Sequence, residues 1–210
     1  MLKSWKRHNL KLKRFEKSLY PRKYRLIAGV DEAGRGPLAG PVVASAVILK
    51  DSSFTAKIFD SKRLSSSFRQ RAFAEIIKKA DVGVGFVDRE TIDKVNILQA
   101  TIMAIKLALE DLGRKPEYLL IDGRFKKQLF PYPYKTVVKG DSLCFSIACA
   151  SIVAKVLRDN LLFYYSHLYP QYGFEHNRGY CTKGHMRAIK KYGLTPIHRR
   201  SFRPIRKGEK

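Results

Sequence analysis

The stretch Ile27-Ala28-Gly29-Val30-Asp31-Glu32-Ala33-Gly34-Arg35-Gly36-Pro37-Leu38-Ala39-Gly40-Pro41 constrains the fold more than any other part of the chain. An apolar run ends in two adjacent carboxylates, a glycine-rich turn with one arginine follows, and a second apolar run, Val42 to Leu49, leads away. That order predicts two strands joined by a loop with unusual backbone freedom. Side chains alternate across a strand, so Asp31 and Glu32 set out toward opposite faces. They can share one site only where the strand ends and the glycines turn the chain. Exposed turn acids are the plainer alternative, but the neighbours are apolar or glycine and offer no lysine partner.

A chain of 210 residues predicts one domain with room to bury roughly 70% of its unfolded surface. No stretch approaches the ~18 apolar residues that cross a bilayer, and the basic N-terminus lacks the apolar segment of a signal peptide. Cys144, Cys149 and Cys181 are an odd, sparse set with neither zinc-knuckle nor disulfide spacing. The expectation is a reduced, cytoplasmic protein without a cysteine-type metal site. A net charge of +24 calls for a polyanionic partner, and nucleic acid is the common one. An anionic membrane surface is the rival, but no long helix pairs a purely basic face with a bulky apolar one.

Residues 1–25 form a lysine- and arginine-rich extension, in which Phe15 and Leu19 suggest a short helix ended by Pro21. It reads equally as a nucleic-acid arm or as a solvated, partly ordered tail. Beyond Asp60-Ser61-Lys62-Arg63, Ser65 or Ser66 caps a helix with Phe68, Ala72, Phe73, Ile76 and Ile77 on one face. A strand over 81–87 and a helix over about 91–112 follow, with Gly113 as a natural C-cap. Tyr118-Leu119-Leu120-Ile121-Asp122-Gly123 repeats the grammar of the opening stretch: apolar run, carboxylate, flexible turn. Strands ending in acids bring those acids together where open α/β sheets place their ligands. A strand over 135–138 leads through Lys139-Gly140-Asp141-Ser142 into a long helix to about residue 168. On it Ser151, Lys155 and Asp159 share a face, so Asp159 either pairs with Lys155 at i, i+4 or joins the acids across the sheet; spacing leaves both open. Residues 170–181 read as loop, and Thr182 caps a basic helix through Tyr192 that Gly193 stops.

Three or four carboxylates in a strongly positive field, without histidine or cysteine among them, favour Mg²⁺ or Mn²⁺ over zinc. Such ions beside a phosphate backbone are the equipment for two-metal, in-line phosphodiester hydrolysis.

The residues Gly29-Val30-Asp31-Glu32-Ala33-Gly34-Arg35-Gly36-Pro37 resemble the ribonuclease HII (type 2 ribonuclease H) family. Asp60-Ser61-Lys62, Ile121-Asp122-Gly123, Lys139-Gly140-Asp141, the run from Ala150 to Asp159, Gly179-Tyr180-Cys181-Thr182 and Thr195-Pro196-Ile197-His198-Arg199-Arg200-Ser201-Phe202 follow in that family's order. The resemblance implies an α/β ribonuclease H-like fold: a central mixed five-stranded sheet flanked by helices, with a C-terminal helical extension. Residues 26–210 would form this catalytic domain behind the 1–25 extension. The implied activity is endonucleolytic cleavage of the RNA strand of RNA–DNA hybrids and at single ribonucleotides in duplex DNA, leaving 5′-phosphate and 3′-hydroxyl ends. Carried over, Asp31, Glu32, Asp122 and Asp159 are catalytic metal ligands for Mg²⁺ or Mn²⁺, with Asp141 as the reserve acid. Gly34, Arg35, Gly36, Lys62 and Tyr180 would contact substrate: the glycine turn reads the ribose 2′-hydroxyl and Tyr180 stacks on the neighbouring deoxyribose. A monomer is expected. Cys149 stands where the family usually has alanine, and the type 3 enzymes' sizeable N-terminal domain has no room in 25 residues. The competing classes are a non-catalytic nucleic-acid-binding protein and a DNA-cutting nuclease of the same fold.

Overall fold

Four largely apolar runs and the short segment Tyr134–Val137 become the strands of one sheet, and the order of their pairing sets where the acids meet. The computed structural model describes residues 2–51, 53–59, 61, 64–126 and 128–205. In chain order these form α1 (Leu2–Lys17), β1 (Ile27–Ala33), β2 (Val42–Leu49), α2 (Ser66–Lys79), β3 (Ala80–Val87), α3 (Arg89–Glu110), β4 (Tyr118–Asp122) and β5 (Tyr134–Val137). There follow α4 (Gly140–Leu143), α5 (Phe145–Leu168), a 3₁₀ turn (Pro170–Tyr172), α6 (Phe174–Asn177) and α7 (Lys183–Tyr192). The strands run in the order β3-β2-β1-β4-β5. β1–β2 and β2–β3 pair antiparallel, whereas β1–β4 and β4–β5 pair parallel, so the sheet is mixed.

One face of the sheet packs α3 against Ala28, Val30, Ala44, Ala46 and Leu119. The other packs α5 and α2 through Val47, Ala72, Ile76, Ala148 and Ile152. α5 rides very close to β1, because a Cβ at Gly29 would lie 2.2 Å from the Ser146 carbonyl carbon. Beyond the sheet, Leu162, Tyr172, Phe174, Ala188 and Ile197 form a separate apolar cluster holding the C-terminal helices.

Several boundaries differ from the sequence expectation. The basic N-terminal segment is a 16-residue helix ending at Lys17, not a short one reaching Pro21. It is docked: Leu12 is buried, Asn9 Nδ2 donates to the Ala56 carbonyl, and Glu16 accepts from Ser146 N–H at 2.7 Å. The helix expected from residue 142 is interrupted by extended Cys144, and the restart leaves the Ser146 N–H free to meet Glu16. α3 is kinked at Asn96, whose φ of 68° and ψ of 164° fall in a positive-φ, extended region that favours glycine. The Asn96 Oδ1 then accepts from Leu98 and Gln99 N–H, capping the second segment. That helix closes on Asp111 rather than Gly113, and the expected 170–181 loop contains the 3₁₀ turn and α6. All three cysteines are free. Among the described residues no helix is long and apolar enough to cross a membrane.

Candidate active site

The parallel register sets Val30 of β1 opposite Ile121 of β4, so the next residues, Asp31 and Asp122, lie side by side where that pairing stops. β1 does not end at its acids as the sequence suggests but stays paired with β2 through Glu32 to Ala33. Asp31, Glu32 and Asp122 line one cavity of about 460 Å³ together with Gly34, Arg35, Gly36, Ser61, Arg69, Ser151, Lys155, Arg158 and Tyr180. Asp31 is buried, and its Oδ1 accepts from the Glu32 N–H at 2.7 Å. Burial pushes its carboxyl well above the usual range, and the charges of Glu32 and Asp122 push it further. Glu32 is raised by burial too, against the opposing pull of Arg35, whose Nη1 lies 3.2 Å from Oε1. Asp122 Oδ1 accepts from the Gly140 N–H at 2.6 Å.

A divalent cation fits this donor set. The ligands are hard oxygens, the ionisation of Asp31 and Glu32 is resisted by burial first and by neighbouring carboxylate charge second, and the Glu32 Oε2 is buried without a hydrogen-bond partner among the described residues. Each carboxylate also spends an oxygen on its own local donor. That explains why, among the described residues, no three such side chains already converge on one point.

The turn beside the acids is held from beneath by two arginines with scarcely any exposure, Arg158 and Arg199. Arg199 donates to the carbonyls of Gly34 (2.7 Å), Arg35 (3.3 Å), Pro37 (2.9 Å) and Gly40 (2.9 and 2.7 Å). Arg158 donates to those of Pro41, Ala39 and Arg178. Burial pushes Arg158 down to about 10 and Arg199 to about 9, so both stay charged at neutral pH. A trans peptide points its N–H opposite to its C=O. With the Gly34 and Arg35 carbonyls turned onto Arg199, the N–H groups of Arg35 and Gly36 face the other way. Gly34 has φ +100°, and a Cβ there would strike Arg158 Nε at 2.2 Å; only glycine fits. A Cβ at Gly36 would meet just the Tyr180 ring, at 3.6 Å.

Tyr180 is 45% exposed, and its backbone is fixed by a buried imidazole relay. Thr195 N–H donates to His198 Nδ1 at 2.9 Å, so the His198 proton sits on Nε2. That proton goes to His185 Nε2 at 3.0 Å, which leaves His185 Nδ1–H to donate to the Tyr180 carbonyl at 2.9 Å.

The sequence-predicted residues thus divide. Asp31, Glu32, Asp122, Gly34, Arg35, Gly36 and Tyr180 share the cavity. Asp159 does not line it: its Oδ1 accepts from Lys155 Nζ at 2.6 Å, with Arg69 and Arg178 close by. Asp141 is buried directly after Gly140, the residue that donates to Asp122. Lys62 lies outside the described residues. Arg158, Arg199 and the histidine relay were not singled out by sequence, because arginine and histidine in basic segments read as surface. The available signal was position: Arg158 falls on the same helix as the small residues that pack closest to the sheet.

An α/β sheet that gathers carboxylates at parallel strand ends beside a glycine turn defines a metal-dependent nuclease of the ribonuclease H type. A sequence model described as Ribonuclease HII matches residues 28–205. The Ribonuclease HII of Enterococcus faecalis is 46% identical over 98% of this chain and 84% of its own length. That of Chloroherpeton thalassium is 50% identical, over 92% of this chain and 97% of its own. The crystal structure of ribonuclease H2 from Pyrococcus horikoshii superposes with a TM-score of 0.73 at 28% identity, covering 87% of this chain and 96% of that one. The chain belongs to the ribonuclease HII family and is a metal-dependent endoribonuclease.

Proposed function

We propose that this enzyme cleaves the RNA strand of RNA–DNA hybrids and incises duplex DNA at single embedded ribonucleotides, leaving 5′-phosphate and 3′-hydroxyl ends. The observation carrying the reading is the sharing of one cavity by Asp31, Glu32 and Asp122 with the Gly34-Arg35-Gly36 turn and Tyr180. Asp31, Glu32 and Asp122 would hold Mg²⁺ or Mn²⁺. When bound, a pair of such ions supplies an activated water and charge stabilisation at the leaving oxygen. For the fourth acid, burial beside Gly140 favours Asp141, and the engagement of Asp159 by Lys155 counts against the assignment drawn from resemblance.

The chain's own residues do the recognising. The outward N–H groups of Arg35 and Gly36 can donate to a ribose 2′-hydroxyl, which a deoxyribose lacks. Once a bound duplex covers this exposed turn, donors set to pair a hydroxyl discriminate against its absence, since they then go unpaired. Tyr180 offers a flat face for the adjoining sugar, and its relay-held backbone limits where that face can lie. The basic surface supplies phosphate contacts independent of sequence. A duplex with one ribonucleotide, compared with its all-deoxy twin, tests the reading. Cleavage confined to the ribonucleotide is expected, and equal cutting of both duplexes would indicate a DNA-cutting nuclease instead.

A further inference from the structure

Asp159 sits among three basic side chains from three separate parts of the chain. Lys155 Nζ lies 2.6 Å from Oδ1, while Arg69 Nη2 and Arg178 Nε lie 3.9 and 3.7 Å from Oδ2. Among the described residues one carboxylate here faces three cations in a largely buried space, two of which, Lys155 and Arg69, also face the acid cavity, which leaves Arg178 with Asp159 alone.

The array is braced. Arg69 Nη1 donates to the Ser61 carbonyl at 2.7 Å and the Leu64 carbonyl at 2.5 Å, so its guanidinium is fixed before any ligand arrives. Arg178 has its own carbonyl held by Arg158 Nη1 at 3.1 Å. Yet Arg178 Nη1 is buried with no acceptor among the described residues. A buried donor without a partner costs about 1–3 kcal/mol, and an incoming acceptor would recover it.

The cations also bridge two spaces. Arg69 and Lys155 line the acid cavity. Arg69 and Arg178, with Ser66, Asn160 and Asp159, line a neighbouring cavity of about 270 Å³. Arg69 is the wall between them.

We infer that this second cavity binds a backbone phosphate of the nucleic acid next to the one attacked, with Arg178 and Arg69 donating to its oxygens and Asp159 as the carboxylate that positions them. The inference rests on the proposed substrate class and names a further contact for it. Arginine forks match the two free oxygens of a monoanionic phosphodiester, and such contacts fix the register of a duplex rather than its sequence. Asp159 is then a positioning residue: its Oδ2 lies between the two guanidinium groups and orients both, and the unpartnered Arg178 Nη1 is left for the ligand. Arg35 on Glu32 shows the contrasting case, a single pair with no excess.

The test pairs a residue change with a phosphate change. Duplexes carrying one ribonucleotide and one neutral methylphosphonate, placed in turn at each position flanking the cut, are bound to wild-type, Arg178→Gln and Arg178→Lys enzyme. Affinity is read by fluorescence anisotropy with Ca²⁺ present, and folding of each variant by circular dichroism melting. One methylphosphonate position is expected to weaken wild-type binding about tenfold, the loss of a charge-assisted hydrogen bond. At that position Arg178→Gln should lose less than twofold, and Arg178→Lys an intermediate amount. Strictly additive losses at every position would overturn the phosphate site. Because binding is measured apart from cleavage, that failure differs from failure of the proposed activity, which would show as no cutting of the unmodified ribonucleotide duplex.

Discussion

Replacing Arg199 by methionine removes five hydrogen bonds to four carbonyls while keeping much of the buried volume. Each buried carbonyl left short costs about 1–3 kcal/mol, which sets a gross loss of about 4–12 kcal/mol. Two effects reduce it. The cation itself was desolvated at a cost of several kcal/mol, and the turn can swing toward water around exposed Gly36. The net expectation for Arg199→Met is a loss of about 3–5 kcal/mol, the range seen when one side of a buried ionic arrangement is removed. Arg199→Lys should recover less than half, because an ammonium cannot reach four carbonyls from one plane. Urea unfolding measures this directly: with a slope of about 2 kcal/mol per molar, the midpoint of Arg199→Met should fall by about 2 M. The same variant should lose preference for ribonucleotide over deoxynucleotide, since the Arg35 and Gly36 peptides are no longer oriented. A midpoint within 0.5 M of wild type, or an unchanged preference, refutes the claim that Arg199 holds the turn.

The two turn glycines should separate stability from chemistry. Gly34→Ala is expected to destabilise strongly by clash with Arg158, whereas Gly36→Ala should leave the melting temperature nearly unchanged yet slow cutting at a ribonucleotide at least tenfold, by filling the space facing Tyr180. Burial, reinforced by His185, pushes His198 down to about 4 from an ordinary 6.5. The unfolded chain therefore binds the extra proton first as pH falls. The stability contribution is complete above about pH 6.5, is lost toward pH 4 and amounts to about 3 kcal/mol at most. Denaturation midpoints measured across that window should show a shallower acid slope in His198→Gln than in wild type. On α1, Lys6, Arg7, Lys11 and Arg14 are exposed, so changing all four to glutamine should spare folding. If they meet the duplex, the salt slope of binding falls by about 0.9 log units for each phosphate no longer neutralised; an unchanged slope would exclude that face.

What could be read from sequence was what period and punctuation encode. The apolar run of β2, the carboxylate closing β4 and the Thr182 cap of α7 all came out where expected, whereas β1 runs on past its two acids to Ala33. The docked face of α1 was invisible because Asn9 and Glu16 occupy inward positions that an apolar period skips. The breaks at Asn96 and Cys144 involve neither proline nor glycine, the residues that announce an interruption. Arg158 and Arg199 illustrate a broader limit. A charged side chain reads as solvated until the fold supplies carbonyls around it, and all of those carbonyls but that of Arg178 come from residues over a hundred positions away. Asp159 shows the same limit from the other side: helical spacing offered both a lysine partner and the acid cluster, and the lysine lies at 2.6 Å.

The central claim is that Asp122 acts with Asp31 and Glu32 to hydrolyse the bond beside one ribonucleotide. Single-turnover cleavage of a duplex containing one ribonucleotide, by wild type and Asp122→Asn, tests it most directly. The account predicts that Asp122→Asn binds the duplex at least as tightly and cuts it at least a thousandfold more slowly, roughly the loss of one principal catalytic group. Cutting by Asp122→Asn at the wild-type rate would contradict it.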